Sequence, residues 1–405
     1  MNDLDFVAGL AQANESKLVL LVLDGIGDLR TAEQPRTALE VANVPAMDEL
    51  AKGSSLGRMI PVRQGVTPGS GPGHLGLFGY DPTLPEVDIG RGVLEALGLG
   101  LDIPRGTVAA RGNFATADGE GNLTDRRAGR IPTSECQRLC TALQSQITEI
   151  DGTRVEIIPG EGHRFVLLLH GEDLSPELMD TDPQRLGVPP LEPTSADDRA
   201  GRTVAIAREL IDAMNRVLSD ESQANRALLR GFSSMPQLRP MPELYRMRCG
   251  AFAGYPLYRG VASACGMEVV PCSKDFGELV GTVADRWQDF DFFFLHVKKT
   301  DAAGEDGDLE AKARALETVD AELQRIVDLQ PNVIAITGDH STPAPMKAHS
   351  WHPIPLLLHS KLSFIDEADA FDEVQAIRGH LGTFPSKDLI ALMLAHAGRL
   401  AKFGA

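Results

Sequence analysis

The chain has 405 residues, more than one hydrophobic core usually serves, so one large or two unequal domains are expected. A formal net charge of −18 argues against nucleic acid or an anionic membrane as the main partner, and no run approaches the ~18 apolar residues of a membrane span. Five scattered cysteines, an odd number, do not form a disulfide framework, and Met1 to Lys17 lacks the pattern of a signal peptide, so a reduced, cytoplasmic setting is expected.

Taken in chain order, the first element is an apolar run, Leu18–Leu23, read as a buried strand that ends at Asp24 in LVLDGIGD. Next comes Thr67–Pro82, TPGSGPGHLGLFGYDP, where Ser70 sits in a Gly/Pro-rich turn before a short helix over Leu75–Phe78, with Pro72 at its start. Backbone N–H groups and the helix dipole at such a point suit a phosphate or a phosphoserine; an N-cap serine is the other reading. A long middle segment follows, with strands expected at Arg154–Pro159 and Arg164–His170. It also carries an amphipathic helix over Gly201–Leu218, on Val204, Ala207, Ile211, Met214 and Val217. From Gly53 to Ser273 every basic residue other than histidine is arginine, which suits a bidentate grip on phosphate and carboxylate and is equally what a compositional bias would leave.

Three further buried strands close the chain: Phe290–Val297, Val333–Thr337 and Pro355–His359. Two of them, like the first strand, lead into an acidic residue: Asp301 in HVKKTDAAGEDGD and Asp339 in IAITGDHS. Ligands of open α/β sheets gather beyond the carboxyl ends of the strands, so Asp24, Asp301 and Asp339 are expected to converge. The pair Asp339-His340 offers a hard oxygen and an imidazole nitrogen, a mixture suited to zinc or manganese rather than calcium. His349 and His352, in AHSWHPIP just before the last of these strands, are further candidate ligands.

These motifs, in this order, resemble the archaeal-type cofactor-independent phosphoglycerate mutases of the alkaline phosphatase superfamily. The resemblance runs from LVLDGIGD to HPIPLLL and includes PGSGPGHLGLFGYDP, NFATADGEGNLTDRRAGRI, HRFVLLL, NRALLRGF and HVKKTDAAGEDGD. It implies an α/β fold with an alkaline-phosphatase-like, mostly parallel central sheet flanked by helices, and an inserted smaller α+β domain. The expected spans are 1–104 with 276–405 for the metal-binding domain and 105–275 for the inserted, substrate-binding one. The implied activity is an isomerase of glycolysis and gluconeogenesis that interconverts 3- and 2-phosphoglycerate through a phosphoserine, without 2,3-bisphosphoglycerate.

The resemblance also implies roles. Ser70 is the nucleophile. Asp24, Ser70, Asp339 and His340 hold one divalent ion, and Asp301 and His349 hold the other, with position 305 as third ligand. Mn2+ is the first candidate, with Zn2+, Mg2+ or Co2+ as the others. The small anionic substrate, phosphoglycerate, is held by Asn113, Asp125, Arg126, Arg127, Arg130, His163 and Arg164, with Arg111 as a plausible neighbour. The chain departs from the family pattern at position 305, where Glu305 stands in place of a histidine. Three outcomes are open: Glu305 is a ligand that hardens the site, His352 moves in to supply an imidazole, or the second site is weak. A phosphohydrolase, or a phosphotransferase with another acceptor such as a homoserine-kinase-like enzyme, remains the rival function.

Overall fold

The computed structural model describes every residue except Met1, Asn2, Asp88, Asp102, Arg105, Glu172, Gln237 and Ala405. In chain order the strands are β1 (Leu18–Leu23), β2 (Ser55–Ile60), β3 (Thr107–Ala117), β4 (Leu123–Asp125), β5 (Glu149–Ile150), β6 (Thr153–Pro159) and β7 (Arg164–His170). They continue with β8 (Arg226–Ser234), β9 (Cys249–Ala253), β10 (Glu268–Val269), β11 (Phe292–Val297), β12 (Val333–Thr337), β13 (Ile354–Ser360) and β14 (Gly382–Pro385). No helix among the described residues is long and apolar enough to cross a membrane.

The chain divides into two compact units, Met1–Asp88 with Gln237–Ala405, and Ile89–Pro236. The larger unit is built on an eight-stranded sheet in the order β10-β9-β11-β1-β12-β13-β2-β14. Its pairings are parallel except at β12–β13 and β13–β2. Every residue of β1, β11 and β12 is buried, as continuous apolar runs must be when helices cover both faces of a sheet. One face carries Val19, Leu21, Leu23, Phe293, Leu295, Ile334 and Ile336 into a core completed by helical Leu279, Val283, Leu316, Val319 and Leu323. Burial of side chains this size stabilises by about 1.5–3 kcal/mol each.

The smaller unit holds a six-stranded sheet, β4-β3-β7-β6-β5 with β8 on β3, antiparallel throughout. The helices Thr133–Gln146 and Gly201–Val217 pack on one face through Cys136, Leu139, Leu143, Ile206, Ala207, Leu210 and Met214.

The structure corrects several sequence expectations. The smaller unit begins and ends earlier than 105–275, because β9 and β10 pair into the large sheet while the helix Arg91–Gly98 belongs with the smaller unit; Arg105 itself lies outside the described residues. Phe290 precedes its strand, since Asp291 turns to accept hydrogen bonds from Arg248. The buried face of Gly201–Val217 is centred on Thr203, Ile206, Ala207, Leu210 and Met214, leaving Val204, Ile211 and Val217 at its margins. The helix predicted over Leu75–Phe78 begins at Ser70 and runs to Leu77, with Gly69 as its N-cap and Pro72 in its first turn. Ser70 is therefore not the N-cap.

Candidate active site

In the larger unit, β11, β1 and β12 lie side by side and parallel, so the residues after their carboxyl ends meet. Asp24 follows β1, the helix Lys299–Asp306 carrying Asp301 follows β11, and Asp339 and His340 follow β12. All four side chains are wholly buried. The turn after Asp24 needs Gly25, whose φ is +61 and which has no room for a Cβ beside Thr342 and Asp301. Gly73, in the helix Ser70–Leu77, lets that helix lie against the backbone of Asp339. This close approach brings Ser70 to the same point.

Two ligand groups result. Asp24, Asp339 and His340 form one, and Asp301, His340 and His349 the other; within each group the donor atoms lie within 4.8 Å of one another. His340 Nε2 is 3.2 Å from Asp24 Oδ1, 3.3 Å from Asp339 Oδ2 and 3.2 Å from the Ser70 hydroxyl. Thr342 Oγ1 donates to Asp301 Oδ1 and lies 3.1 Å from His340 Nδ1. With its proton spent on Asp301, it accepts from Nδ1–H, which leaves the Nε2 lone pair for a ligand role. His349 is oriented likewise: its Nδ1 meets the Pro68 carbonyl at 3.0 Å, and Nε2 faces Asp301 Oδ1 at 3.5 Å. The rings of His340 and His349 stack at 3.7 Å.

Glu305 lies four residues after Asp301 on one helix and so shares its face. Its Oε1 is 3.8 Å from His349 Nε2, on a side chain that remains half exposed. His352 belongs to neither ligand group among the described residues; its Nδ1 meets the Ser350 hydroxyl at 3.0 Å and its ring stacks on Trp351.

Electrostatics explains why this cluster fits a divalent ion. Asp24 Oδ1 and Asp339 Oδ2 are buried and accept no hydrogen bond, a costly state for ionised oxygens unless a cation compensates them. Burial opposes ionisation of Asp24, yet His296 and His340 hold its carboxyl well below the usual range. Burial likewise opposes protonation of His340, but Asp339, Asp24 and Asp301 push it up to about 9. Two orphan carboxylate oxygens, an imidazole nitrogen and a hydroxyl make a mixed donor set of the kind zinc and manganese take.

Sequence reasoning missed several residues here. Lys298 places Nζ 3.3 Å from Asp24 Oδ2 and on Asp301 Oδ2; its position three residues before Asp301 in HVKKTD was the available signal. His74, one turn after Ser70, directs Nδ1 to the Ser70 carbonyl at 2.8 Å, with Asp339 Oδ2 3.2 Å from the same nitrogen. Tyr258 and His296 line the far side of Asp24.

In the smaller unit the period-2 alternation of strands sorts the candidates. Val108, Ala110 and Phe114 of β3 and Phe165, Leu167 and Leu169 of β7 face the helices. Arg111 and Asn113 therefore face the other way. Register sets Arg164 opposite Asn113 and Arg230 opposite Arg111. The Nε atoms of Arg111 and Arg164 and Oδ1 of Asn113 are buried without hydrogen-bond partners. Burial depresses the Arg111 guanidinium, and Arg164, Arg230 and Arg91 press it further down against the pull of Glu95. Buried His163 is lowered to about 4 by desolvation and then by Arg164, Arg111 and Arg127.

The TDRRAGR turn divides by role. Asp125 accepts from the backbone N–H of Arg127 and of Gly129. Arg126 spends its guanidinium on Asp182 at 2.6 and 2.7 Å, which leaves it poorly placed for the substrate contact expected of it. Arg127 and Arg130 are exposed, and the backbone at Ala128 and Arg130 is left-handed, with φ of 46 and 54.

Comparison with known proteins identifies the family. The profile of the 2,3-bisphosphoglycerate-independent phosphoglycerate mutases matches residues 51–224. A protein of Thermotoga sp. strain RQ2, named "probable 2,3-bisphosphoglycerate-independent phosphoglycerate mutase", is 48% identical over 99% of both chains. A Thermus thermophilus protein of the same name is 48% identical over 98% of both. Among solved structures, a Pyrococcus horikoshii protein superposes with a TM-score of 0.83 at 29% identity, covering 97% of this chain and 100% of its own. The cofactor-independent phosphoglycerate mutase of Thermoplasma acidophilum gives 0.71 at 27% identity over 94% and 100%. With near-full-length identity at this level, the chain belongs to the family of 2,3-bisphosphoglycerate-independent phosphoglycerate mutases.

Proposed function

We propose that the protein interconverts 3- and 2-phosphoglycerate without 2,3-bisphosphoglycerate, by way of a phosphoserine on Ser70. One observation carries this reading: the Ser70 hydroxyl stands within 3.2 Å of His340 Nε2, the atom on which the free carboxylate oxygens of Asp24 and Asp339 also converge. Asp24, Ser70, Asp339 and His340 would hold one divalent ion; Asp301, His349 and Glu305 would hold the second. Such ions, when bound, favour the deprotonated serine and offset charge on the transferring phosphoryl group.

The chain's own residues supply the rest. Ser70 forms the new O–P bond while the ester oxygen of the substrate leaves, and the second half-reaction reverses this at the neighbouring hydroxyl of the same glycerate. Lys298, fixed between Asp24 and Asp301, places a positive charge beside the phosphoryl oxygens. In the smaller unit, Arg111, Arg164, Asn113, Arg127, Arg130 and neutral His163 offer the donors that retain a carboxylate-bearing intermediate, so that glycerate takes back the phosphate before water does. Asp125 acts through the backbone of the turn that carries Arg127.

The carboxylate of Glu305 beside His349 makes the second ligand set richer in oxygen, which favours Mn2+. The experiment is direct: metal-loaded protein is mixed with 3-phosphoglycerate in the absence of 2,3-bisphosphoglycerate, and 2-phosphoglycerate is followed by a coupled assay. Release of inorganic phosphate without isomer would favour a phosphohydrolase.

A further inference from the structure

The two oxygens of Asp24 have different surroundings, and a residue outside the ligand groups makes them so. Oδ1 accepts no hydrogen bond and faces His340 Nε2 at 3.2 Å. Oδ2 is turned away and accepts from the Tyr258 hydroxyl, with Lys298 Nζ and His296 Nε2 each 3.3 Å off. Tyr258 lies in the helix Pro256–Ala264 and is 2% exposed. Its ring stacks on His296 with centroids 3.5 Å apart, and His74 packs at 5.1 Å. The ring is thus clamped, and the direction of its O–H is set by packing.

We propose that Tyr258 is a positioning residue for metal binding: by donating to Oδ2 it fixes the plane of the Asp24 carboxylate and keeps Oδ1 directed into the cradle formed with Ser70, Asp339 and His340. The inference rests on the reading of that cradle as a metal site. A phenol suits the task because it is neutral. It satisfies a lone pair of a buried carboxylate without cancelling the charge on the other oxygen, whereas the Lys298 ammonium alone at Oδ2 would draw the carboxylate toward itself and compete with the ion. Partners that orient a ligand in this way typically change metal affinity about 10–100-fold when removed.

The test uses the full-length protein, stripped with chelator and titrated with Mn2+, with free Mn2+ read by electron paramagnetic resonance. Tyr258→Phe keeps the ring and its stacking on His296, so a packing role alone predicts no change. The expected result is Mn2+ affinity about 10–100-fold weaker at one of two ions, in a variant that still folds. At saturating Mn2+, KM for 3-phosphoglycerate should stay near wild type while kcat falls. A folded Tyr258→Phe that binds both ions as tightly as wild type overturns the proposal. A wild-type protein that takes up no Mn2+ overturns the metal-site reading and this assignment with it, so the two failures are distinguished by which protein shows them. Should the variant fail to fold, a structure of metal-loaded wild type decides. Ligation through Oδ1 with Tyr258 on Oδ2 supports the proposal, and ligation through Oδ2 with the phenol turned away overturns it.

Discussion

The Ser70 hydroxyl lies 3.2 Å from His340 Nε2, although 270 residues separate them and they arrive on different elements, a helix N-terminus and the loop after β12. In the proposed mechanism that hydroxyl is the nucleophile. Ser70→Ala should lower isomerisation by about 10³-fold or more, the scale seen when an enzyme loses its nucleophile. Ser70 is half-buried and its side chain supports no cap, so metal-free stability should change by no more than about 0.5 kcal/mol. Peptide mass analysis of quenched wild-type enzyme should place the phosphate on Ser70; an active alanine variant would exclude the phosphoserine.

Metal removal leaves the carboxylates of Asp24 and Asp339 close together in a buried site, with free oxygens converging on His340. Chelation should therefore abolish activity and lower the melting temperature, and Mn2+ should restore both. At a hundred times its dissociation constant, an ion that binds only the folded state adds about 2.7 kcal/mol. Calorimetry with and without Mn2+ measures this directly, and an ion-independent melting curve would contradict the site.

Glu305 provides a sharper test of the second ligand set. Glu305→Gln loses a charged oxygen 3.8 Å from His349 Nε2 and should weaken one of two Mn2+ sites. Glu305→His should shift preference toward Zn2+. Equilibrium dialysis with elemental analysis reads both, and unchanged stoichiometry and affinity in the glutamine variant would exclude the ligand role.

Arg126 and Arg127 are adjacent yet should behave oppositely. Removing Arg126 takes its paired hydrogen bonds from Asp182, whose side chain is 1% exposed, leaving it only Arg230 and the Gln184 N–H among the described residues, and should cost about 1–3 kcal/mol of stability. Arg127 is exposed; Arg127→Ala should leave stability intact and weaken phosphoglycerate binding by about 1.5–3 kcal/mol, the worth of a charge-assisted hydrogen bond. Denaturation midpoints and KM values for the two variants, compared side by side, check the division.

His163 titrates at about 4 in the folded chain against an ordinary 6.5. The unfolded chain takes up this proton first, so the contribution to stability is intact above 6.5 and is lost as pH falls from 6.5 toward 4. His163→Asn should flatten that part of the stability profile. An anion bound among Arg111, Arg127 and Arg164 would offset the cations that depress the imidazole, so nuclear magnetic resonance should show the His163 pKa rising with phosphoglycerate. No shift would place the substrate elsewhere.

The strand-end carboxylates were legible because each follows an unbroken apolar run, and parallel central strands require such runs. Ser70 was legible as a glycine-flanked turn, but not its place inside the helix, which depends on Gly73 fitting against Asp339. The pairing of Arg126 with Asp182 spans 56 residues and leaves no local pattern. The alignment of Arg230 with Arg111 depends on strand register, which only the folded sheet defines. Tyr258 sits in GYPLYRG, whose residues read as ordinary helix packing; its stacking on His296 of β11 and its hydrogen bond to Asp24 join distant parts of the chain.

In the proposed reaction, phosphate moves between two hydroxyls of one glycerate held on the enzyme. It is tested by supplying 3-phosphoglycerate labelled in its phosphate, with excess unlabelled glycerate and no 2,3-bisphosphoglycerate, to the Mn2+-loaded protein, and following label with carbon-13-marked substrate by mass spectrometry. The expected product is 2-phosphoglycerate whose phosphate and carbon labels remain together, with little free phosphate. Label appearing as inorganic phosphate, or on unmarked glycerate, would contradict it.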